Sequence, residues 1–164
     1  MDSCYNFFAL PIKEFPAFGI AFNTTTQDNV SENEALLLPN NNPNPSVSIP
    51  VLLDVESTGS GLRVKKTGIY QLSYTLTVSL DNISIPPVDR ESVIFFLTLN
   101  NVSNTIPSSG TAVRADFGGT GLVVVTSSVI LINLNKGDLI QLIPTNIVGT
   151  VDVRSATLTL AQIA

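Results

Sequence analysis

The stretch that decides the fold is Gly68-Ile-Tyr-Gln-Leu-Ser-Tyr-Thr-Leu-Thr-Val-Ser-Leu80. Tyr70, Leu72, Tyr74, Leu76, Val78 and Leu80 are apolar, while Gln71, Ser73, Thr75, Thr77 and Ser79 between them are polar. Strict alternation sends successive side chains to opposite faces of a strand, one face into a core and the other into water. Tyr70, Leu72, Tyr74 and Leu76 are therefore expected in the core. Lys66-Thr-Gly68 supplies the turn that brings the chain into this strand.

Working outward, the composition agrees with a β protein. Only 13% of the 164 residues are charged, against ~25% in an average globular chain. Val, Ile, Leu and Thr dominate, and Ala, Glu and Lys, which would promote helix, are scarce. So little charge implies that part of the surface is covered by another subunit. The net charge of -5, with eight dispersed Lys and Arg residues, argues against nucleic acid or an anionic membrane as partner.

Residues 1–14 are aperiodic, interrupted by Pro11, and read as a flexible arm before a single domain over 15–164. Asp2 stands where a secretory leader carries basic residues, and Phe7-Phe8-Ala9-Leu10-Pro11-Ile12 is short for its apolar segment. No apolar run approaches the ~20 residues of a membrane-spanning helix. The expectation is synthesis in the cytosol without the general export route.

Phe18, Ile20 and Phe22 alternate in a first strand, and 24–46 is mostly loop, ending in Asn40-Asn-Asn-Pro-Asn-Pro-Ser46. Strands follow over 47–55 and 62–66, then the central one, and a loop over 82–90 with Pro86-Pro87. In 92–100, Val93, Phe95, Leu97 and Leu99 share one face and Ile94 and Phe96 the other. After the bend at Gly118-Gly-Thr-Gly121 come Leu122–Leu134, a hairpin at Asn135-Lys-Gly-Asp138, and strands over 139–144 and 151–163, the last with a bulge near Ser155-Ala156. About eight to ten strands separated by turns, without a helix longer than a turn, predict an all-β antiparallel jelly-roll sandwich.

The 122–134 stretch is unusual because both of its faces are apolar. Val124, Ile130, Ile132 and Leu134 lie on one, with Ile130 and Ile132 expected in the core; Val123, Val125, Val129 and Leu131 lie on the other. An antiparallel strand usually leaves one face to solvent. The strand is either central and buried on both sides, or it presents an oligomer interface made of Val123, Val125, Val129 and Leu131, with Phe96 added to them.

Catalytic chemistry is thin. The chain has no His, which excludes imidazole triads and imidazole metal sites. Asp89 with Glu91, and Glu32 with Glu34, are the closest acidic pairs and read as solvated loop charges. Gly118-Gly-Thr-Gly121 lacks the Lys and helix of a phosphate loop. Asn23, Asn29, Asn82 and Asn101 begin glycosylation sequons that read as chance in an Asn- and Ser-rich chain. The lone Cys4 excludes an internal disulfide; it is a free thiol or an intermolecular cross-link on assembly. The expectation is no enzyme, no cofactor and no metal.

Two stretches, Gly68-Ile-Tyr-Gln-Leu-Ser-Tyr-Thr-Leu-Thr77 and Val129-Ile-Leu-Ile-Asn-Leu-Asn-Lys-Gly-Asp-Leu-Ile140, together resemble the trimeric C1q/TNF-like jelly roll. Phe15-Pro-Ala-Phe-Gly-Ile-Ala-Phe-Asn23, Ser79-Leu-Asp-Asn82, Ser109-Gly-Thr-Ala-Val-Arg114, Gly149-Thr-Val-Asp-Val-Arg154 and Leu158-Thr-Leu-Ala-Gln-Ile163 resemble, within it, the Bacillus exosporium basal-layer protein family (BxpB/ExsF). That resemblance runs from Phe15 to the C-terminus and is weaker over 24–38. It implies a homotrimeric structural protein of the outermost spore layer, made in the mother cell. Its partners would be collagen-like surface glycoproteins (BclA type), held by their N-terminal segments, and other exosporium proteins. The chain itself has no Gly-X-Y region and is not the filament. The alternative is a soluble C1q/TNF-like trimeric receptor- or ligand-binding module.

Overall fold

The structure, a computed structural model, describes residues 15–40, 52–80, 90–116 and 122–164. Cys4 and the arm, the loop residues 82–89 and the Gly118–Gly121 bend lie outside the described residues.

Ten strands follow one another: β1 (Phe18–Asn23), β2 (Leu52–Leu53), β3 (Val55–Ser57), β4 (Gly61–Val64), β5 (Gly68–Leu80), β6 (Arg90–Leu99), β7 (Thr111–Asp116), β8 (Leu122–Leu134), β9 (Leu139–Val148) and β10 (Val151–Gln162), with one 3-10 turn at Pro107–Ser109. They form two five-stranded sheets in the orders β2-β1-β10-β5-β8 and β3-β4-β9-β6-β7. Every pairing is antiparallel. The fold is thus an all-β double-sheet sandwich.

β5 is the spine of the first sheet. It pairs with β8 from Gly68 opposite Leu134 to Leu80 opposite Leu122, and with β10 from Tyr70 opposite Gln162 to Leu80 opposite Val151. Its alternating residues Tyr70, Leu72, Tyr74, Leu76, Val78 and Leu80 all lie in the core. Val93, Phe95 and Leu97 of β6, Ile140 and Leu142 of β9, and Leu158 and Leu160 of β10 close over them. The period-two pattern is translated directly into burial because β5, β6, β9 and β10 each have a neighbour on both sides and a second sheet beneath.

β1 uses the same rule with the sizes reversed. Gly19 and Ala21 point inward, whereas Phe18, Ile20 and Phe22 point out. A Cβ on Gly19 would sit 2.6 Å from Val55 Cγ1. The strand therefore approaches β3 too closely for anything larger, and its bulk goes to the outer face. The irregularity in β10 falls between Val153 and Ser155, which restores inward positions for Ala156, Leu158 and Leu160.

Candidate interaction face

The outer face of the first sheet is built from β1, β10, β5 and β8. Register places Phe18 beside Ala161, Ile20 beside Thr159 and Phe22 beside Thr157. It then places Thr159 beside Ser73 and Thr157 beside Thr75. Gln71 stands beside Leu131, Ser73 beside Val129 and Thr77 beside Val125. Two apolar rails, one from β1 and one from β8, thus flank a strip of small hydroxyl side chains.

Among the described residues no charged side chain interrupts this face between the Gln71–Ala161 and Thr77–Ser155 rungs. Charge enters only past the bulge, where Arg154 Nη2 donates to Ser79 Oγ at 3.2 Å and Asp152 Oδ1 accepts from the Asn29 N–H at 2.8 Å. An apolar face without charges can be covered by another protein surface at no ionic desolvation penalty.

The placement of β8 decides how its two apolar faces are used. It is the terminal strand of its sheet, paired only with β5 among the described residues. A central strand buried on both sides is therefore not its situation. Val123 is 46%, Val125 66%, Val129 63% and Leu131 64% exposed. On the opposite face Ile130 and Leu134 are buried, and Ile132 and Val124 pack against the core while only partly covered. Ile132 is thus a rim residue, shallower than a core one, because an edge strand has neighbours on one side only.

Phe96 belongs elsewhere. It lies on β6 in the second sheet, half-buried, next to Gly110, where an added Cβ would meet its ring. It shares no face with the β8 residues, and β1 supplies the apolar residues that do. The signal for them was Phe18, Ile20 and Phe22 alternating with Gly19 and Ala21, which reads as a strand but not as one whose large side chains face outward.

The remaining candidates are dispersed. Glu32 Oε1 accepts the Asn146 N–H at 2.8 Å, and so serves as a loop brace. Glu91 is buried beside Gly149, while Asp89 lies outside the described residues. Asn23 is buried at 6% exposure, too deep to accept a glycan. Among the described residues no group of three His, Cys, Asp or Glu side chains could hold a metal, and no helix is long and apolar enough to cross a membrane.

Comparison with solved structures shows what this sandwich is. The chain is similar to Eiger TNF from S. frugiperda, with a TM-score of 0.61 and 16% identity over 91% of this chain and 92% of that one. It is similar to the globular domain of zebrafish complement 1qA protein, with a TM-score of 0.54 and 14% identity over 92% and 98%. It is also similar to murine APRIL, with a TM-score of 0.55 and 11% identity over 91% and 100%.

The fold is the C1q/TNF-like jelly roll. No protein-family model matches the chain, and no curated protein matches it. In this C1q/TNF-like sandwich the apolar rails belong to the β2-β1-β10-β5-β8 sheet, which ends at β8 among the described residues.

Proposed function

We propose that the chain is a non-enzymatic interaction module that assembles as a homotrimer through the outer face of its β2-β1-β10-β5-β8 sheet. The observation that carries this reading is the exposure of Val125, Val129 and Leu131, each above 60%, on a strand with no charge or proline to protect its edge. A second copy of the chain is the occupant, since closed cyclic symmetry buries the same apolar rails on every subunit. The structural similarity to a TNF and to a C1q globular domain supports a binding role over a catalytic one.

The finer form of this proposal is a threefold socket in the basal layer of a spore exosporium, holding the N-terminal segments of collagen-like filaments. Its support is the sequence resemblance described above. A three-chain filament meets a trimeric socket without symmetry mismatch, so each subunit can give one filament chain the same contact. That contact is a strand added to an open sheet edge. The second reading, a soluble trimeric receptor-binding module, draws on the solved neighbours.

Light scattering on the full chain tests the assembly: a mass three times that of one chain is expected, and a monomer removes the proposal. Immunogold labelling of intact spores, with the surface proteins missing from a deletion strain, separates the two finer forms. An unlabelled outer layer removes the socket and leaves the trimer standing.

A further inference from the structure

Among the described residues the two sheets end in the edge strands β2, β8, β3 and β7, which are guarded unequally. β2 has two residues and β3 three. β7 has six, among them Arg114 and Asp116. Shortness and charge are what keep an edge from pairing with another chain. β8 has thirteen residues, without a charge or a proline. Among the described residues it is paired only with β5, so a full row of its backbone donors and acceptors faces outward in the plane of the sheet.

A strand laid along that edge meets apolar side chains on both faces. On the outer face its neighbours are Val125, Val129 and Leu131, all exposed. On the inner face they are Val124 and Ile132, which pack against the core but stay partly uncovered. The fitting occupant is therefore an extended, uncharged segment that is apolar at consecutive positions. A segment with one polar face would turn it against one of these two rows.

Outside the described residues the chain has one such run, Tyr5-Asn-Phe-Phe-Ala-Leu10. Residues 41–51 carry Pro43, Pro45 and Pro50; residues 81–89 carry Asp81, Pro86, Pro87 and Asp89; and 117–121 is Phe-Gly-Gly-Thr-Gly. Proline and charge suit none of these to an uncharged ladder, and the last is too short and glycine-rich.

The run's own β8 is out of its reach. Phe15, where the described chain begins, shares a cavity with Leu53, Asp54 and Lys65 at the β2 side of the sheet. In the order β2-β1-β10-β5-β8 a strand beyond β8 is five spacings away, about 24 Å. The five residues from Leu10 to Phe15 span at most about 18 Å. The arm and the open edge thus lie at opposite ends of one sheet. That is the layout of a head-to-tail contact between copies, which closes into a ring.

We infer that residues 5–10 of one copy add as a strand to β8 of the next copy around the ring. The inference rests on the trimer proposed above and deepens it, because each subunit then holds a backbone-bonded segment of its neighbour as well as the apolar rails. Main-chain hydrogen bonds supply the hold. Phe7 and Phe8, on opposite faces of the added strand, cover the two apolar rows of β8. The edge left for a filament strand is then β7, the longest of the other three.

The test places a nitroxide on Cys4, the lone cysteine of the full chain and one residue before the segment. Spin-labelled chain without ¹⁵N is refolded together with ¹⁵N-labelled chain that carries no nitroxide, so only contacts between copies broaden amides. Amides of 122–134 are expected to lose the most intensity, and those of β2 and β3 the least. Phe7→Asp and Phe8→Asp should each abolish that loss with circular dichroism unchanged, since a charge on either face of the added strand would be desolvated. No broadening, broadening centred away from β8, or an undiminished loss in both variants overturns the inference. Light scattering on the same samples separates it from the reading it rests on. A threefold mass without loss at β8 removes the strand addition and leaves the trimer, whereas a monomer removes both.

Discussion

The hydroxyl of Tyr74 lies 2.7 Å from the carbonyl oxygen of Ser109, a contact that joins β5 in one sheet to the turn that follows β6 in the other. The phenol has one proton to give, and Ser109 O is nearer than Phe95 O at 3.2 Å. Thr111 Oγ1, also at 2.7 Å, is then placed to donate to the phenol oxygen. Ser109 continues the chain of contacts, its Oγ accepting from Leu97 N–H at 2.8 Å and donating to Ile106 O at 2.7 Å. A buried polar group in an apolar core is thereby satisfied at both ends.

Tyr74→Phe should lower stability by ~1–3 kcal/mol, because the Ser109 carbonyl and Thr111 hydroxyl lose their partner in a buried setting. Urea denaturation of the two proteins measures it. An unchanged midpoint would mean that the bridge between the sheets contributes nothing.

Stability should also fall at alkaline pH. Burial raises the Tyr74 phenol above its ordinary 10.0, against the opposing hydrogen bond from Thr111. Burial, then the nearby Asp54 charge, raises Tyr70. The folded state therefore keeps these protons to higher pH than the unfolded chain does. Their contribution is complete below about pH 10 and is lost as pH rises through the folded values. Denaturation midpoints should be flat on the neutral side of ~10 and decline above it, less steeply in Tyr74→Phe. A midpoint independent of pH to well above this range would contradict the burial of both phenols.

Leu76→Ala and Leu131→Asp should separate core from face. Leu76 is fully buried, and its truncation should cost ~2–5 kcal/mol. Leu131 and Val129 are 64% and 63% exposed on the single chain, so an Asp at either leaves circular dichroism unchanged. In the proposed trimer the same charge is desolvated, and light scattering should report dissociation. Intact trimers in both Val129→Asp and Leu131→Asp would move the interface away from β8.

Gly149→Ala and Gly59→Ala form a matched pair. Both glycines have φ of +84°, where an L side chain costs ~1–2 kcal/mol. A Cβ at Gly59 meets open space, but at Gly149 it would stand 2.6 Å from Glu91 Cγ. The Gly149 variant should lose more stability in thermal melts, and equal losses would show that Glu91 shifts freely.

The sequence by itself determined the β5 core face, since a strand with one apolar and one polar face has only one way to be buried. It also determined that 122–134 needs an explanation, since both faces are apolar, and that imidazole chemistry is impossible in a chain without His. The tertiary structure alone decided the rest. Periodicity says which residues share a face; it cannot say which face turns inward when both are apolar, or which strands become neighbours. Only the pairing of β8 with no strand but β5 among the described residues made Val125, Val129 and Leu131 surface residues. Only the approach of β3 to Gly19 sent Phe18, Ile20 and Phe22 outward, and only the sheet order moved Phe96 away from them. The segment over 24–40 left no pattern to read, because its order comes from backbone hydrogen bonds to β9 and β10, more than a hundred residues along the chain, and such bonds place few demands on side-chain identity.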